Sequence, residues 1–126
     1  MKRTIVAALG AALFFSGSAY AHHSYGTFFL DQTVAIDGVL DKIIYANPHT
    51  ILTVTAKDGQ TYTAEWGALF QLSRWGVGPD SLKPGDEIVV SGCPNRDPAV
   101  HRLAVLKEIT RPTDGWRWSR SQPRTN

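Results

Sequence analysis

Five stretches of β-branched and apolar residues run from Thr33 to Thr110, and one helical interval falls between the third and the fourth. That order constrains the fold more than any other feature of the chain. Val34 and Ile36 alternate, Gly38 interrupts, and Leu40 and Ile43 stand three apart, so the first stretch (Thr33 to Tyr45) predicts a long strand bent at a bulge beside the glycine. Ala46-Asn47-Pro48 is a turn. The second strand runs from about His49 to Lys57, with Leu52, Val54 and Ala56 on one face. Asp58-Gly59 marks a two-residue hairpin into a third strand from about Gln60 to Trp66, where Tyr62, Ala64 and Trp66 share a face.

From Gly67 to Trp75 the period changes. Leu69, Leu72 and Trp75 are spaced by three, and Gly76 follows as a stop, which predicts a short helix. Lys83-Pro84-Gly85-Asp86 is turn chemistry ahead of a fourth strand at Glu87 to Ser91. Residues 93–98 read as a loop, and a fifth strand spans Val100 to Thr110 with Leu103, Val105 and Ile109 on one face. The expected class is mainly β, a small five-stranded OB-like barrel with a short helix between strands three and four. An open antiparallel sheet carrying one helix is the alternative. The barrel domain is placed at 33–111. Residues 22–32 form a lead-in whose aromatics dock on it, and 112–126 form a flexible basic tail.

The segment before the barrel sets the compartment. Lys2 and Arg3 precede an apolar run from Thr4 to Phe15, and Ala19-Tyr20-Ala21 supplies the small residues of a cleavage site, so residues 1–21 read as a signal peptide and the mature chain as periplasmic. The apolar run is roughly half of what a membrane-crossing helix needs, and no transmembrane segment is expected in the mature chain. Losing Lys2 and Arg3 leaves 11 basic and 11 acidic residues in a 105-residue mature chain. That balance argues against nucleic acid as a partner. The expected partner is a protein or a small molecule, and the expected state is a monomer or weak dimer. Cys93 is the only cysteine, which excludes an intramolecular disulfide and reads as a small apolar residue at a strand end.

Cleavage after Ala21 would make His22 the first residue. Its amine, ordinarily titrating at about 7.7–8.0, and its ring nitrogen would form one chelate. A second imidazole, from His23 or His49, would complete a three-nitrogen set that suits copper(II). His49 is the better candidate if the amino terminus folds back to the first turn. Cleavage after Ala19 would give Tyr20-Ala21-His22, an amino-terminal copper and nickel motif. The metal candidates are therefore His22, His23 and His49, with copper as the possible cofactor. Tyr62, Trp66 and Glu65 are the ligand-binding candidates; with Trp75 the aromatics could form a platform in a groove, although their alternate spacing fits core packing better. No catalytic signature is present, neither a Gly-X-Ser-X-Gly nor a phosphate loop, and no enzyme is expected. A pocket that held Glu65 close to His49 or His101 would change that expectation.

Three motifs carry a resemblance: His22-His23-Ser24, Asn47-Pro48-His49 and Leu82-Lys83-Pro84-Gly85-Asp86. With this order and spacing, the chain resembles a family of small exported bacterial proteins classed as a domain of unknown function. The resemblance covers about residues 22–110. It implies an exported OB-like domain and no established activity.

Overall fold

The computed structural model describes residues 25–125. The expected signal segment, His22 and His23 lie outside the described residues. The elements are β1 (Val34–Ile44), β2 (Ile51–Ala56), β3 (Thr61–Glu65), α1 (Leu69–Arg74), β4 (Glu87–Pro94), β5 (Arg102–Arg111) and β6 (Trp116–Ser119), with a turn of 3-10 helix at Tyr25–Thr27. Among the described residues no helix is long and apolar enough to cross a membrane.

The fold is mainly β, and its first five strands close into a barrel. β1 pairs antiparallel with β4 through Val34–Val39 and with β2 through Gly38–Ile44. A strand that serves two partners must bend where it changes hands. At that point Gly38 lies against the backbone of Thr55 and Ala56, where any β-carbon would collide with the Thr55 carbonyl. The bulge expected beside the glycine falls three residues later, where the register shifts between Leu40 and Lys42. The glycine permits the close crossing, and the extra residue supplies the bend. β2 and β3 form the expected hairpin, with Gly59 at φ +86° in the Asp58-Gly59 turn. Closure comes from a short parallel pairing of β3 with β5, Thr63 with Arg102 and Ala64 with Leu103.

Two expectations for the second half are corrected. β4 continues through Cys93 and Pro94, where a loop was expected. β5 carries an irregularity of its own, since the pairing jumps from Cys93–Ala104 to Ser91–Glu108. Inside that jump Val105 has φ +49°, a left-handed conformation that strains a β-branched residue. The kink turns Leu106, rather than Val105, into the core between Leu103 and Ile109. Val105 packs instead with Phe28, Cys93 and Ala104 in a small satellite cluster under the docked lead-in.

The largest correction concerns the expected tail. Asp114-Gly115 turns the chain, with Gly115 at φ +77°, and residues 116–119 form β6 on the outer edge of β5. Trp118 is fully buried, edge-on to Trp66 at 5.1 Å and to Trp75 at 5.3 Å between ring centroids. Burying a tryptophan removes about 200 Å² of mostly apolar surface from water, so this strand belongs to the core. Beyond β6, Gln122 Nε2 donates to the Trp75 carbonyl at 3.1 Å, and the Thr125 amide donates to the Arg74 carbonyl at 2.7 Å.

The Leu82–Asp86 motif is structural. Lys83-Pro84-Gly85-Asp86 is a tight turn closed by the Asp86 amide on the Lys83 carbonyl at 3.1 Å, with proline and a positive-φ glycine at its centre. Leu82 is buried, and the turn hydrogen-bonds both ways with the Leu40 backbone. Arg111 then clasps it. The guanidinium donates to Asp86 Oδ2 at 2.7 Å, to the Ser81 carbonyl at 3.0 Å, and to both carboxylate oxygens of Asp114 at 3.0 and 2.8 Å.

Candidate functional site

The Asn47-Pro48-His49 turn positions the central residue of the site. Asn47 Oδ1 accepts the Leu69 amide at 3.0 Å and so ties the turn to the start of α1, where the chain leaves an amide without a helical partner. Gln71 Oε1 accepts the neighbouring Ala68 amide at 3.1 Å. His49 is thereby held beside the end of β3, with Nδ1 3.2 Å from the Trp66 carbonyl oxygen.

Glu65 is the last residue of β3. Ala64 and Trp66 on either side of it point into the core, so strand alternation sends Glu65 out of the barrel. Its carboxylate is only 11% exposed and lies between two bases. Oε1 is 3.3 Å from His49 Nε2, and Oε2 accepts an N–H of Arg102 at 2.9 Å. Arg102 arrives because β3 and β5 pair in parallel at that level. Hydrogen bonds from such partners offset the cost of withdrawing a carboxyl group from water.

The three side chains line one open cavity of about 490 Å³ with Tyr25, Thr27, Phe28, Pro48, Ile51, Asn95 and Val100. That is within the range of small-molecule sites. The lead-in closes one side of it as the sequence predicts. Phe28 bridges Asn95 and is buried, the Phe29 amide donates to the Pro94 carbonyl at 2.9 Å, and Arg96 stacks on the Phe29 ring at 4.7 Å. Tyr25, the first described residue, therefore stands at the same cavity as His49 and Glu65.

The chemistry of His49 is distinctive. Both ring nitrogens face oxygen acceptors, a carbonyl and a carboxylate. A neutral imidazole has one N–H and one lone pair, so it satisfies only one of them. A second proton satisfies both, and so does a metal ion at Nε2 with the N–H kept on Nδ1. A ring N–H donated to a backbone carbonyl is the usual way of orienting a metal-bound histidine. Among the described residues no three histidine, cysteine or acidic side chains cluster as a metal site. His49 and Glu65 supply two donors.

The sequence candidates thus separate. His49 and Glu65 come together, and the contact is the one that would favour an enzyme. Trp66 contributes its carbonyl, while its ring is buried against Trp118, and Trp75 is also buried. For these two tryptophans the alternative of core packing holds, and no platform forms with them. Tyr62 stacks on His101 at 5.0 Å, beside a separate cavity of about 200 Å³. His22 and His23 lie outside the described residues. Arg102 and Tyr25 were not among the candidates. Nothing local marks Arg102, whose role depends on the β3–β5 closure.

Neither a curated protein nor a solved structure matches this chain. Residues 11–104 match the model described as Family of unknown function (DUF6152), a stretch that ends inside β5 and before β6, and the chain belongs to that family.

Proposed function

We propose that this is an exported, periplasmic protein that holds copper(II) through a mature amino-terminal histidine, and that it acts as a metal-binding or accessory protein rather than an enzyme. The observation that carries the reading is the shared cavity of Tyr25, His49 and Glu65. Only two residues, His23 and Ser24, separate His22 from Tyr25, and those three peptide steps span at most about 11 Å. A mature chain that began at His22 would thus start within a few residues of the cavity that His49 lines. With His49 Nε2, the His22 amine and ring nitrogen would form the set that suits copper(II), and the Glu65 carboxylate would offset part of the ion's charge.

His49–Glu65 proximity also favours a second reading, in which Glu65 and His49 act as a catalytic pair. The metal reading accounts better for an imidazole with acceptors on both sides.

Intact-mass measurement of the exported protein, with metal analysis of the same sample, tests the proposal. A chain beginning at His22 with one equivalent of copper is the expected result. A chain that begins at Tyr20 moves the metal to the Tyr20-Ala21-His22 motif, and a correctly processed chain that takes up no added copper refutes the reading.

A further inference from the structure

The irregularity in β5 leaves two consecutive charged residues outside the barrel core. Leu106 and Ile109 are both fully buried although they stand three apart, while Lys107 and Glu108 between them are only partly buried. Bulges commonly re-aim side chains in this way. Arg120, just past β6, is pinned to the same stretch. Its amide donates to the Lys107 carbonyl at 2.8 Å, and its Nε donates to the Leu106 carbonyl at 2.7 Å. Together with Arg117 and three serines, Ser91, Ser119 and Ser121, these residues line an open depression of about 500 Å³. Every described lining residue is polar, so the depression offers no wall for an apolar ligand.

Its charges do not balance. Glu108 Oε2 accepts two N–H groups of Arg117, Nε at 2.8 Å and a terminal nitrogen, so that pair neutralises itself. Among the described residues no carboxylate pairs with Lys107 or Arg120, which leaves two unmatched positive charges. The strands that build the depression also carry the basic excess of the chain. Residues 99–126 hold six of the eleven basic residues between 22 and 126, and two of the eleven acidic ones. Arg120 spends Nε on a carbonyl and keeps its two terminal nitrogens, a fork that fits a phosphate. Ser119 and Ser121 share one hydrogen bond at 2.9 Å, so one of their two hydroxyl protons remains for a ligand.

We propose that this depression binds a doubly charged phosphoryl group, either as inorganic phosphate or as the headgroup of a phosphomonoester lipid. Its oxygens would take the Lys107 ammonium, the Arg120 terminal nitrogens and a serine hydroxyl. The inference is independent of the copper reading, since none of these residues lines the His49 cavity.

Inorganic phosphate is titrated by calorimetry into the protein without added metal, at constant ionic strength and at a pH where the anion is doubly charged. Amide shifts in nuclear magnetic resonance spectra locate the site. Two variants remove the same charge from different places. Lys107→Gln acts in the depression, and Lys42→Gln acts on the half of β1 that pairs with β2. The expected result is saturable binding, with shifts concentrated at Ser91, Lys107 and residues 119–121. Affinity should fall roughly fivefold or more in K107Q and stay unchanged in K42Q. Phosphatidylcholine vesicles with and without phosphatidic acid separate the two sources. Lys107-dependent binding to the phosphatidic acid vesicles alone supports the site and assigns it to a lipid headgroup. Lys107-dependent uptake of phosphate without vesicle binding supports it and assigns it to the free ion. Binding of neither probe would overturn the proposal. Equal weakening by K107Q and K42Q would overturn it too, because it would reduce the effect to diffuse charge.

Discussion

Two charge clusters in this barrel are mirror images, with opposite consequences. At one, the cation Arg111 sits between two carboxylates, Asp86 and Asp114. At the other, the carboxylate Glu65 sits between two bases, His49 and Arg102. The Arg111 cluster is closed. The guanidinium makes four hydrogen bonds, all to oxygens of the β4 approach and the β5–β6 turn, and its face lies 5.7 Å from the Trp116 ring. The Glu65 cluster is open. Its imidazole is held between two acceptors, its arginine is half exposed, and all three side chains line a cavity. The same kind of ion pairing serves as a clasp where the bonds of the cation all go to the surrounding backbone and carboxylates, and as the edge of an open cavity where the carboxylate is the shared partner.

The comparison breaks most visibly at the strand the clasp secures. Trp118→Ala removes the largest fully buried side chain, with Trp66 and Trp75 packed on it, and should cost about 3–5 kcal/mol in urea unfolding. A loss below about 1 kcal/mol would mean that β6 is not part of the core. Arg111→Gln should cost about 2 kcal/mol, because it strands the half-buried Asp86 carboxylate. Glu65→Gln should cost less than about 1 kcal/mol, since its partners can turn to water in the cavity, yet it should weaken copper binding. Equal stability costs for R111Q and E65Q would erase the distinction between clasp and site.

The smallest effect is a pH dependence. Hydrogen bonds from Arg111 hold the Asp114 carboxyl below its ordinary value of 3.8. A lowered folded-state value stabilises the protein above the unfolded value. That contribution fades as pH falls through 3.8 and is gone below the folded-state value. The Asp114 part of the acid slope should therefore shrink in R111Q, keeping only what the Trp116 amide supplies, which urea melts between pH 3 and 6 would detect. An unchanged slope would show that Asp114 does not feel Arg111.

What could be read in the residues, and what could not, follows from range. The Asp58-Gly59 hairpin, the alternating strands and the short helix all depend on neighbours within a few positions, and they stand in the fold. β6 carried the same local signals, Asp114-Gly115 followed by alternating Trp116 and Trp118. Four residues behind a proline and among arginines nevertheless read as a tail, and only the tryptophan pocket formed by β3 and α1 reveals them as a strand. The strand-five face was misjudged at Val105, because a left-handed valine inside a strand has no sequence signature. For the site, His49 and Glu65 were legible as residue types. Their meeting was not, since it needs the Asn47–Leu69 tie and the parallel closure that also delivers Arg102. The alternation of Trp66 with Ala64 was legible as core packing, and the core is where Trp66 lies.

The central claim is that copper sits between the mature amino terminus and His49. Electron paramagnetic resonance of copper(II) on protein that begins at His22 tests it most directly, beside a version with one extra amino-terminal methionine and beside His49→Ala. The account predicts a single nitrogen-rich signal for the native terminus, its loss on methionine extension, and a changed signal with affinity reduced at least about tenfold in H49A. Identical spectra and affinities for all three proteins would contradict it.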